Sequence, residues 1–541
     1  MLPRPMYTHH LLVVLVALVG FSYGQFALCW PRYEDEATDW PLKGAPIPPN
    51  DTGLVLDSQT VPGPLFIGEP AEPQQLAAKT LFSPDAITYH ADAGNCRVND
   101  WQAPIGREPR VKSRSIGLSA QYFHKDGRLT ARIICEGDNG YHYCLAALNP
   151  KTLETLASWS PRNETLLSPY GMVTEHFVLM PTLEGRIIEI ERVDNTTGTF
   201  LRQHREINLN TVLPADFITS ASVYDADGRV WFIAGRLKRT GTADDSGIIG
   251  YVATDGAIHA HRLDNQIFEN SIAVNGRTVY ANSGPVDLEA SGAAGQMYAF
   301  QVVADGNIET VWVEQYSVDR AVKPGGLSNG SGSTPALVGD RYVAMTDNAP
   351  DRINLNIYRQ VDSVMGEPSA GGSNLVCQVP IFKSNGSANE NAMVGYYDGS
   401  TYSVVVNNHY AAPHIQSLDT IDDINGSFNN FTSLAAGMTR IDILEDGKCV
   451  VLWDTPIRST SVLSFSTANG LLYSYTQDDE LSPQGEYVWY FTAIDFASGK
   501  VVWRVRAGAG GAFNNNLAPT QLSPSGALWQ IVLGGVTWLE G

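Results

Sequence analysis

The chain has 541 residues, of which 43% are apolar and 17% charged. This composition is typical of folded globular proteins and excludes a largely disordered chain. The formal net charge of −21 repels phosphate backbones, so nucleic acid is not an expected partner. The length would suggest several domains of about 150 residues each, but a repeat architecture overrides that expectation.

The N-terminus has the pattern of a secretory signal peptide. Arg4 precedes an apolar run at residues 11–21, and small residues at 22–24 indicate cleavage near Gly24. This run is too short to span a bilayer, and no later stretch is long and apolar enough to do so. We therefore predict a secreted monomer without a membrane span, in which residues 1–24 are removed, residues 25–80 form an extension and residues 81–541 form one domain.

The chain contains six cysteines, and an even number in an exported protein predicts disulfides. One pair flanks a short predicted hairpin, and proximity along the chain suggests the other two, although spacing alone leaves other connectivities open. The predicted pairs are Cys135–Cys144, Cys29–Cys96 and Cys377–Cys449.

Seven Asn-x-Ser/Thr sequons follow the signal peptide. In an exported chain they predict a eukaryotic glycoprotein with glycans on surface loops. The acceptor asparagines are Asn50, Asn163, Asn195, Asn329, Asn385, Asn425 and Asn430.

Short β-branched or aromatic runs separated by a turn recur along the chain, and helical periodicity is scarce. Hairpins of this kind, with Asp-Gly, Asn-Gly or Ser-Gly at the turn, are predicted at residues 222–235, 271–284, 335–348, 462–478 and 521–535. Second, outer hairpins are predicted to turn near residues 152, 197, 255, 305, 367, 446 and 498.

Four of the outer hairpins carry a tryptophan shortly after the turn. These residues are Trp159, Trp312, Trp453 and Trp503. Their spacing is close to multiples of about 50 residues, the length of a four-stranded propeller blade. We expect each tryptophan to pack between neighbouring blades.

The pattern predicts an all-β fold, a β-propeller of about eight four-stranded blades. Seven blades remain an alternative, because residues 361–435 are long and irregular. The last inner hairpin has no outer strands after it, so the N-terminal segment, with GLVLDS at 53–58 and AITYH at 86–90, is expected to close the ring.

Residues 493–503, AIDFASGKVVW, resemble the tryptophan-docking repeat A-x-D-x-x-T-G-x-x-x-W of the quinoprotein dehydrogenase family, with Ser498 in place of threonine. They are also similar to the repeat of outer-membrane-assembly lipoprotein propellers. The resemblance implies an eight-bladed propeller. It does not extend to quinone (PQQ) use, since the adjacent cysteine pair that stacks on the quinone in such dehydrogenases is missing here, as is a haem-attachment motif.

One mouth of the predicted channel collects polar residues, because each innermost strand starts where the next strand ends. Acids and amides at this mouth suit sugar hydroxyls or a divalent cation such as calcium, held by oxygen ligands. The candidate acids and bases are Glu269, Asp347, Glu390 and Asp478, with His409 as proton shuttle. The candidate ligand-binding residues are Asn270, Asn348, Asn389, Asn408, Asn515 and Arg458, the last for an anion.

Three other motifs are better explained as structure. Residues 326–330 match the G-x-S-x-G nucleophile elbow but lie in a Gly/Ser loop without the strand and helix that the elbow needs. Asp225 and Asp227 lie in a predicted turn and lack the glutamate of a calcium loop. His259 and His261 are expected to be a surface pair on one strand, without a third metal ligand.

The sequence leaves three classes of function open. The first is a secreted enzyme that acts on a small molecule or carbohydrate at the channel mouth, either an oxidoreductase or a non-redox lyase, isomerase or hydrolase. The second is a non-catalytic propeller that binds a glycan or a protein. The third is a structural wall or matrix protein. A propeller fold by itself does not decide among them.

Overall fold

The computed structural model describes residues 71–72, 94–137, 140–161, 164–167, 171–174, 176–361, 372–413 and 425–541. Within these ranges the protein is an all-β propeller of eight blades, each built on four antiparallel strands. The predicted fold class is confirmed, and the seven-bladed alternative is wrong. The signal peptide, most of the extension at 25–80, Asn50 and Asn163 lie outside the described residues and remain predictions.

The blades follow one another along the chain, and each runs from the innermost strand outwards. Blade 1 contains β3 (Leu118–Phe123), β4 (Leu129–Gly137), β5 (Gly140–Leu148) and β6 (Thr155–Trp159). Blade 2 contains β7 (Met172–Val173), β8 (Phe177–Pro181), β9 (Arg186–Asn195) and β10 (Gly198–Asn208). Blade 3 contains β11 (Phe217–Tyr224), β12 (Val230–Arg236), β13 (Ile248–Val252) and β14 (Ile258–Arg262). Blade 4 contains β15 (Gln266–Phe268) and β16 (Ala273–Asn275), which share the innermost place, then β17 (Thr278–Pro285), β18 (Gly295–Val302) and β19 (Ile308–Tyr316).

The second half of the ring has the same order. Blade 5 contains β20 (Ala336–Val338), β21 (Tyr342–Thr346), β22 (Asn354–Arg359) and β23 (Leu375–Pro380). Blade 6 contains β24 (Val394–Tyr397), β25 (Tyr402–Asn407), β26 (Met438–Ile443) and β27 (Cys449–Thr455). Blade 7 contains β28 (Ser464–Ser466), β29 (Leu471–Gln477), β30 (Val488–Asp495) and β31 (Val501–Ala509). Blade 8 contains β32 (Thr520–Leu522), β33 (Leu528–Val532), β34 (Gly535–Glu540) and, from the N-terminal side, β2 (Arg110–Arg114).

The remaining regular structure is short. Strand β1 (Val98–Asn99) pairs in parallel with β28. The described 3-10 helices are Leu209–Thr211, Ala243–Asp245, Ser427–Asn429, Phe431–Ser433, Ser482–Gln484 and Gly511–Phe513. No helix among the described residues is long and apolar enough to cross a membrane.

The strand pairing confirms the predicted hairpins. Their turn residues are of types that readily adopt the backbone conformation of a tight turn. The turn from β11 to β12 is an example, since the Asp225 carboxylate accepts hydrogen bonds from the backbone N–H groups of Asp227 and Arg229, both at 2.9 Å. The aspartates predicted to form a turn therefore do so. The outer turn predicted near residue 367 falls in 362–371, outside the described residues, but its flanking strands β22 and β23 do pair.

The core consists of apolar layers between neighbouring blades. The four predicted tryptophans all lie on outermost strands, β6, β19, β27 and β31. Trp453 of blade 6 donates its Nε1–H to the Phe496 carbonyl of blade 7 at 3.0 Å. Its ring lies against Gly499, where a side-chain Cβ would come within 2.6 Å of the indole. The predicted tryptophan packing between blades is thus confirmed.

The N-terminal segment closes the ring, as predicted, because β2 pairs antiparallel with β34 and covers its outer edge. One N-terminal strand does this, since the C-terminal chain itself supplies the third strand of blade 8. The closing strand is Arg110–Arg114. The segments GLVLDS at 53–58 and AITYH at 86–90, which were expected to close the ring, lie outside the described residues.

Residues 94–99 run along the channel-facing strands of three blades. Inner-strand N–H groups of blades 5, 6 and 7 donate to the carbonyls of Gly94, Cys96 and Arg97, at 2.8, 2.9 and 2.9 Å. The inner end of the N-terminal segment is thus built into the centre of the propeller, while its later part forms the outer strand of blade 8.

Two predicted disulfides are present. Cys135–Cys144 links neighbouring strands β4 and β5, with the Cα atoms 5.9 Å apart. Cys377–Cys449 links the outermost strands of blades 5 and 6, with the Cα atoms 6.3 Å apart. Cys96 is buried, and because Cys29 lies outside the described residues the third pair remains a prediction.

Candidate functional site

The polar mouth is the face of the ring that carries the loops between blades and the loops between second and third strands. The link from β19 of blade 4 to β20 of blade 5 crosses this face. Its residues 326–330, Gly-Leu-Ser-Asn-Gly, are called the amide loop below, because four consecutive backbone N–H groups in it bind two glutamates. This is the segment whose resemblance to a nucleophile elbow is accidental, since no described helix follows it.

Glu390 comes from the start of blade 6 and binds the first half of the amide loop. Its Oε1 accepts hydrogen bonds from the N–H of Leu327 at 2.9 Å and of Ser328 at 3.4 Å. Its Oε2 accepts from the Ser328 hydroxyl at 2.9 Å. The Ser328 hydroxyl is therefore a donor to a carboxylate and is not paired with a histidine base.

Glu269 comes from the start of blade 4 and binds the second half of the amide loop. Its Oε1 accepts from the N–H of Asn329 at 3.2 Å, and its Oε2 from the N–H of Gly330 at 2.7 Å. A side chain at position 330 would overlap Glu269 Oε2, so glycine is needed for the close approach. The amide loop thus brings together two glutamates that are 121 residues apart in the chain and were predicted as candidate acids or bases.

Burial raises the pKa of both carboxyl groups to about 7. For Glu269 the nearby Arg239 and the two loop N–H groups act in the opposite direction and lower the pKa. For Glu390 the loop donors also lower the pKa, while the charge of Glu269 raises it. The two carboxyl groups are therefore electrostatically coupled and change protonation near neutral pH.

Two cations lie in the same part of the mouth. Lys323 is buried and donates from Nζ to the carbonyls of Ala349 at 2.5 Å and Ser387 at 3.2 Å. Arg239, in the loop between β12 and β13 of blade 3, acts electrostatically on Glu269. Neither cation was predicted from the sequence, because nothing in the local pattern distinguishes them from surface lysines and arginines.

His409 is fully buried next to Glu390, in a network of asparagines. Its Nδ1 accepts from the Glu390 N–H at 3.2 Å, and its Nε2 lies 2.9 Å from Asn391 Nδ2 and 3.2 Å from Asn407 Nδ2. Burial lowers the pKa of the imidazole to about 3. The ring is therefore neutral at physiological pH and positions the Glu390 backbone, while its predicted role as proton shuttle remains a prediction.

The other candidate acids are bound to their own loops. Asp347 is buried and accepts from the N–H and the side-chain amide of Asn354, both at 2.7 Å. Burial raises its pKa, which those hydrogen bonds lower again. Asp478 accepts from the N–H of Glu480 at 3.0 Å and of Leu481 at 2.9 Å. The structure thus brings Glu269 and Glu390 to one loop and gives the two aspartates roles in stabilising turns.

The candidate ligand-binding residues lie at the mouth, and their hydrogen bonds are mostly to backbone groups of neighbouring loops. The five asparagine side chains donate as follows: Asn270 to the Gly332 carbonyl, Asn348 to those of Ser328 and Asn329, Asn389 to that of Asn391, Asn408 to that of Gly386, and Asn515 to that of Ala518. Arg458 donates to the Leu434 carbonyl and pairs with Asp479, both at 2.9 Å. Their binding of a ligand remains a prediction.

No group of three His, Cys, Asp or Glu side chains that could hold a metal ion occurs in the described ranges. His259 and His261 both lie on the outermost strand β14, and His259 stacks on Tyr251 with ring centroids 4.7 Å apart. The acids at the mouth accept hydrogen bonds from backbone N–H groups. Their oxygen atoms are therefore engaged as hydrogen-bond acceptors and are not grouped around a position for a cation.

Comparisons with known proteins identify no family for this chain and only distant likenesses among solved structures. No family model and no curated protein matches the chain. Among solved structures, the β-propeller domain of Cps50 (Swd1) from Myceliophteria thermophila is 10% identical over 73% of this chain and 97% of its own, with a TM-score of 0.35. Sqt1 from Chaetomium thermophilum is 8% identical over 76% and 93%, with a TM-score of 0.41. A puromycin hydrolase mutant complexed with PGG is 13% identical over 82% and 61%, with a TM-score of 0.36. Likenesses this distant carry no argument about activity.

Proposed function

We propose that this protein is a secreted glycoprotein enzyme that acts on a small molecule or carbohydrate at the polar mouth, with Glu269 and Glu390 as its acid–base pair. One observation carries the proposal. Two carboxyl groups with a pKa of about 7 are held by consecutive N–H groups of a single loop. Carboxyl groups tuned to neutral pH are uncommon outside functional sites.

The coupling between the carboxyl groups suits general acid–base catalysis. Near pH 7 one group of such a pair holds a proton while the other is ionised, so the pair both donates and accepts protons. Pairs of this kind catalyse bond cleavage in sugars, where one carboxyl protonates the leaving oxygen and the other assists attack or proton removal. No redox cofactor is needed for this chemistry, so the proposal favours a lyase, isomerase or hydrolase over an oxidoreductase.

A non-catalytic glycan- or protein-binding propeller is the second candidate. It is favoured by the fact that both carboxylates already accept hydrogen bonds from the amide loop. In that case the glutamates would support a recognition loop, and their replacement would weaken binding without any product ever being formed.

The proposal is tested by incubating the purified glycoprotein with a panel of neutral and acidic oligosaccharides and analysing the products by mass spectrometry. The Glu269→Gln and Glu390→Gln variants are expected to lose about 10²–10⁴-fold in turnover, as is typical of removing a general acid or base. Glu309→Gln, on the exposed outer strand of blade 4, is the matched control and should retain full activity. Wild-type turnover in both site variants would reject the acid–base role, and saturable binding without products would favour the second candidate.

A further inference from the structure

Arg239 lies at the polar mouth on a loop whose backbone is firmly held. The loop between β12 and β13 is attached at its ends, where the Leu237 N–H donates to the Asp216 carbonyl at 2.8 Å and the Gly247 N–H donates to the Gln266 carbonyl at 2.7 Å. Directly after Arg239, the N–H groups of Thr240 and Gly241 donate to the Asp245 carboxylate at 2.6 and 2.7 Å. The position of the Arg239 backbone is therefore well defined.

The Arg239 guanidinium has no acceptor of its own in the part of the chain that the structure describes. Two acids act on it electrostatically, Glu269 and Asp245. Both are bound elsewhere, Glu269 by the amide loop and Asp245 by the Thr240–Gly241 backbone. Arg239 makes neither a hydrogen bond nor an ion pair with them within the described residues, and only their charges act on it.

Two other cations of the mouth, Lys323 and Arg458, differ from Arg239 in this respect. Lys323 donates to two carbonyls, and Arg458 donates to a carbonyl and pairs with Asp479. A partly buried guanidinium without acceptors loses hydration without compensation, which is costly unless a ligand supplies the acceptors. A guanidinium carries five N–H donors in a planar fork that matches a carboxylate.

We propose that Arg239 anchors the carboxylate of the ligand whose reacting bond lies at Glu269 and Glu390, and that the substrate class is therefore a sugar acid, such as a uronic acid residue. This inference rests on the proposed function and narrows it. An anionic ligand is not attracted by a protein of net charge −21 as a whole, so its recognition requires a local cation with unused donors. A carboxylate also fits the planar fork better than a point-like acceptor does.

The anchor has a consequence for the acid–base pair. The positive charge of Arg239 lowers the pKa of Glu269, and a carboxylate bound to Arg239 neutralises that charge. Glu269 then holds its proton more tightly, so binding of a sugar acid near pH 7 is accompanied by proton uptake. Binding of a neutral sugar has no such effect.

The test uses trigalacturonate, neutral galactotriose and inorganic phosphate as probes, with the full-length glycoprotein and isothermal titration calorimetry. Wild-type protein should bind trigalacturonate at least about tenfold more tightly than galactotriose, with proton uptake seen as a dependence of the heat on buffer ionisation enthalpy. Arg239→Gln should lose about 10–100-fold in trigalacturonate affinity, the range for losing hydrogen bonds to a charged group. Arg239→Lys keeps the charge without the fork and should retain part of the affinity.

Arg277→Gln is the matched control, because Arg277 is exposed, pairs with Asp227 at 2.9 Å and lies at a hairpin turn of blade 4 on the opposite face. It should bind all probes as wild type does. Equal binding of the two trisaccharides, no detectable trigalacturonate binding, or an unchanged preference in Arg239→Gln would overturn the proposal, as would tighter binding of phosphate than of trigalacturonate. If binding depends on Arg239 but turnover is unchanged in Glu390→Gln, the acid–base role is contradicted and the role of Arg239 as anchor is retained. If turnover is lost in Glu390→Gln but trigalacturonate binding is unchanged in Arg239→Gln, only the role of Arg239 is contradicted.

Discussion

At the scale of single residues, the site depends on burial more than on residue type. Glu390 is an ordinary glutamate by type, yet its environment raises the pKa of its carboxyl group from the usual 4.5 to about 7. The difference arises because removing a carboxylate from water disfavours its charge, and the donors of the amide loop compensate only in part. The same argument explains why the buried imidazole of His409 remains neutral.

The raised pKa of Glu390 makes stability depend on pH in a defined direction. Its folded-state pKa lies above its usual value of 4.5, so the folded protein loses stability as pH rises from about 4.5 to 7, and the loss is complete above that range. We expect Glu390→Gln to remove this pH-dependent loss of stability. The free energy of unfolding of the variant, relative to that of the wild type, should therefore rise by about 1–3 kcal/mol between pH 5 and pH 7.5. Glutamine keeps the acceptor for the Leu327 N–H, and the Ser328 hydroxyl is able to reverse.

Urea unfolding of both proteins at pH 5 and pH 7.5 measures this difference. Glu309→Gln serves as the control and should follow the wild-type pH dependence. Parallel pH dependences of wild type and Glu390→Gln would show that Glu390 ionises normally.

At the scale of elements, the blades are joined by packing that the repeat pattern encodes. Gly499 follows the Ser498 turn with φ +71°, and the Trp453 ring of the preceding blade lies directly on it. The serine keeps the turn intact, because its hydroxyl donates to the Asp495 carboxylate, which also accepts from the Ser498 backbone N–H at 3.0 Å. The degenerate repeat therefore retains two features that matter physically. It has a tight turn, and it has a glycine whose missing side chain leaves room for the neighbouring indole.

Gly499→Ala should destabilise the protein by about 1–3 kcal/mol more than the matched variant Gly485→Ala. Both glycines have a positive φ, at +71° and +80°, so the backbone penalty is shared. Only at position 499 would the new Cβ meet a tryptophan, at 2.6 Å, while nothing lies within 4 Å at position 485. Chemical unfolding of the two variants provides the comparison, and equal losses would mean that the indole shifts without cost.

At the scale of the whole molecule, the N-terminal segment holds the ring together at two places. It closes blade 8 with β2, and its residues 94–99 lie along blades 5 to 7. Arg97 is fully buried there and donates to the carbonyls of Leu463 at 3.0 Å and Thr520 at 2.8 Å, which belong to blades 7 and 8. Arg97 therefore links the N-terminal segment to blades 7 and 8 at the centre of the ring, close to the blade in which the ring closes.

Arg97→Ala should destabilise the propeller by about 3 kcal/mol or more, because it leaves buried carbonyl groups without donors and creates a cavity. Arg107→Ala, at an exposed position of the same segment, is the control and should change stability by less than about 0.5 kcal/mol. Thermal and urea unfolding test this prediction. A loss in Arg97→Ala no larger than in the control would mean that the segment does not contribute to ring stability.

Much of the fold was predictable because blade hairpins are local. Turn residues, alternating strands and tryptophan spacing are properties of neighbouring residues, and the structure confirms them together with two disulfides. The closing strand was not identified, because Arg110–Arg114 is a charged edge strand that resembles a surface loop in sequence. Strand ends were sufficient to propose the polar mouth, but not to find Arg239 or the amide loop, since their arrangement arises only from contacts between different blades.

The sequence by itself therefore predicted the repeated blade and a ring of about eight blades, with seven as an alternative, and it indicated one face on which polar residues collect. The tertiary structure decided which of those polar residues lie together, because only Glu269 and Glu390 bind the amide loop through their carboxyl groups among the described residues. Strand pairing is encoded by residues close in the chain, whereas the pKa of Glu269 and Glu390 depends on burial and on N–H donors from a loop in another part of the chain. Electrostatic environment is a property of the assembled ring, and no local pattern records it.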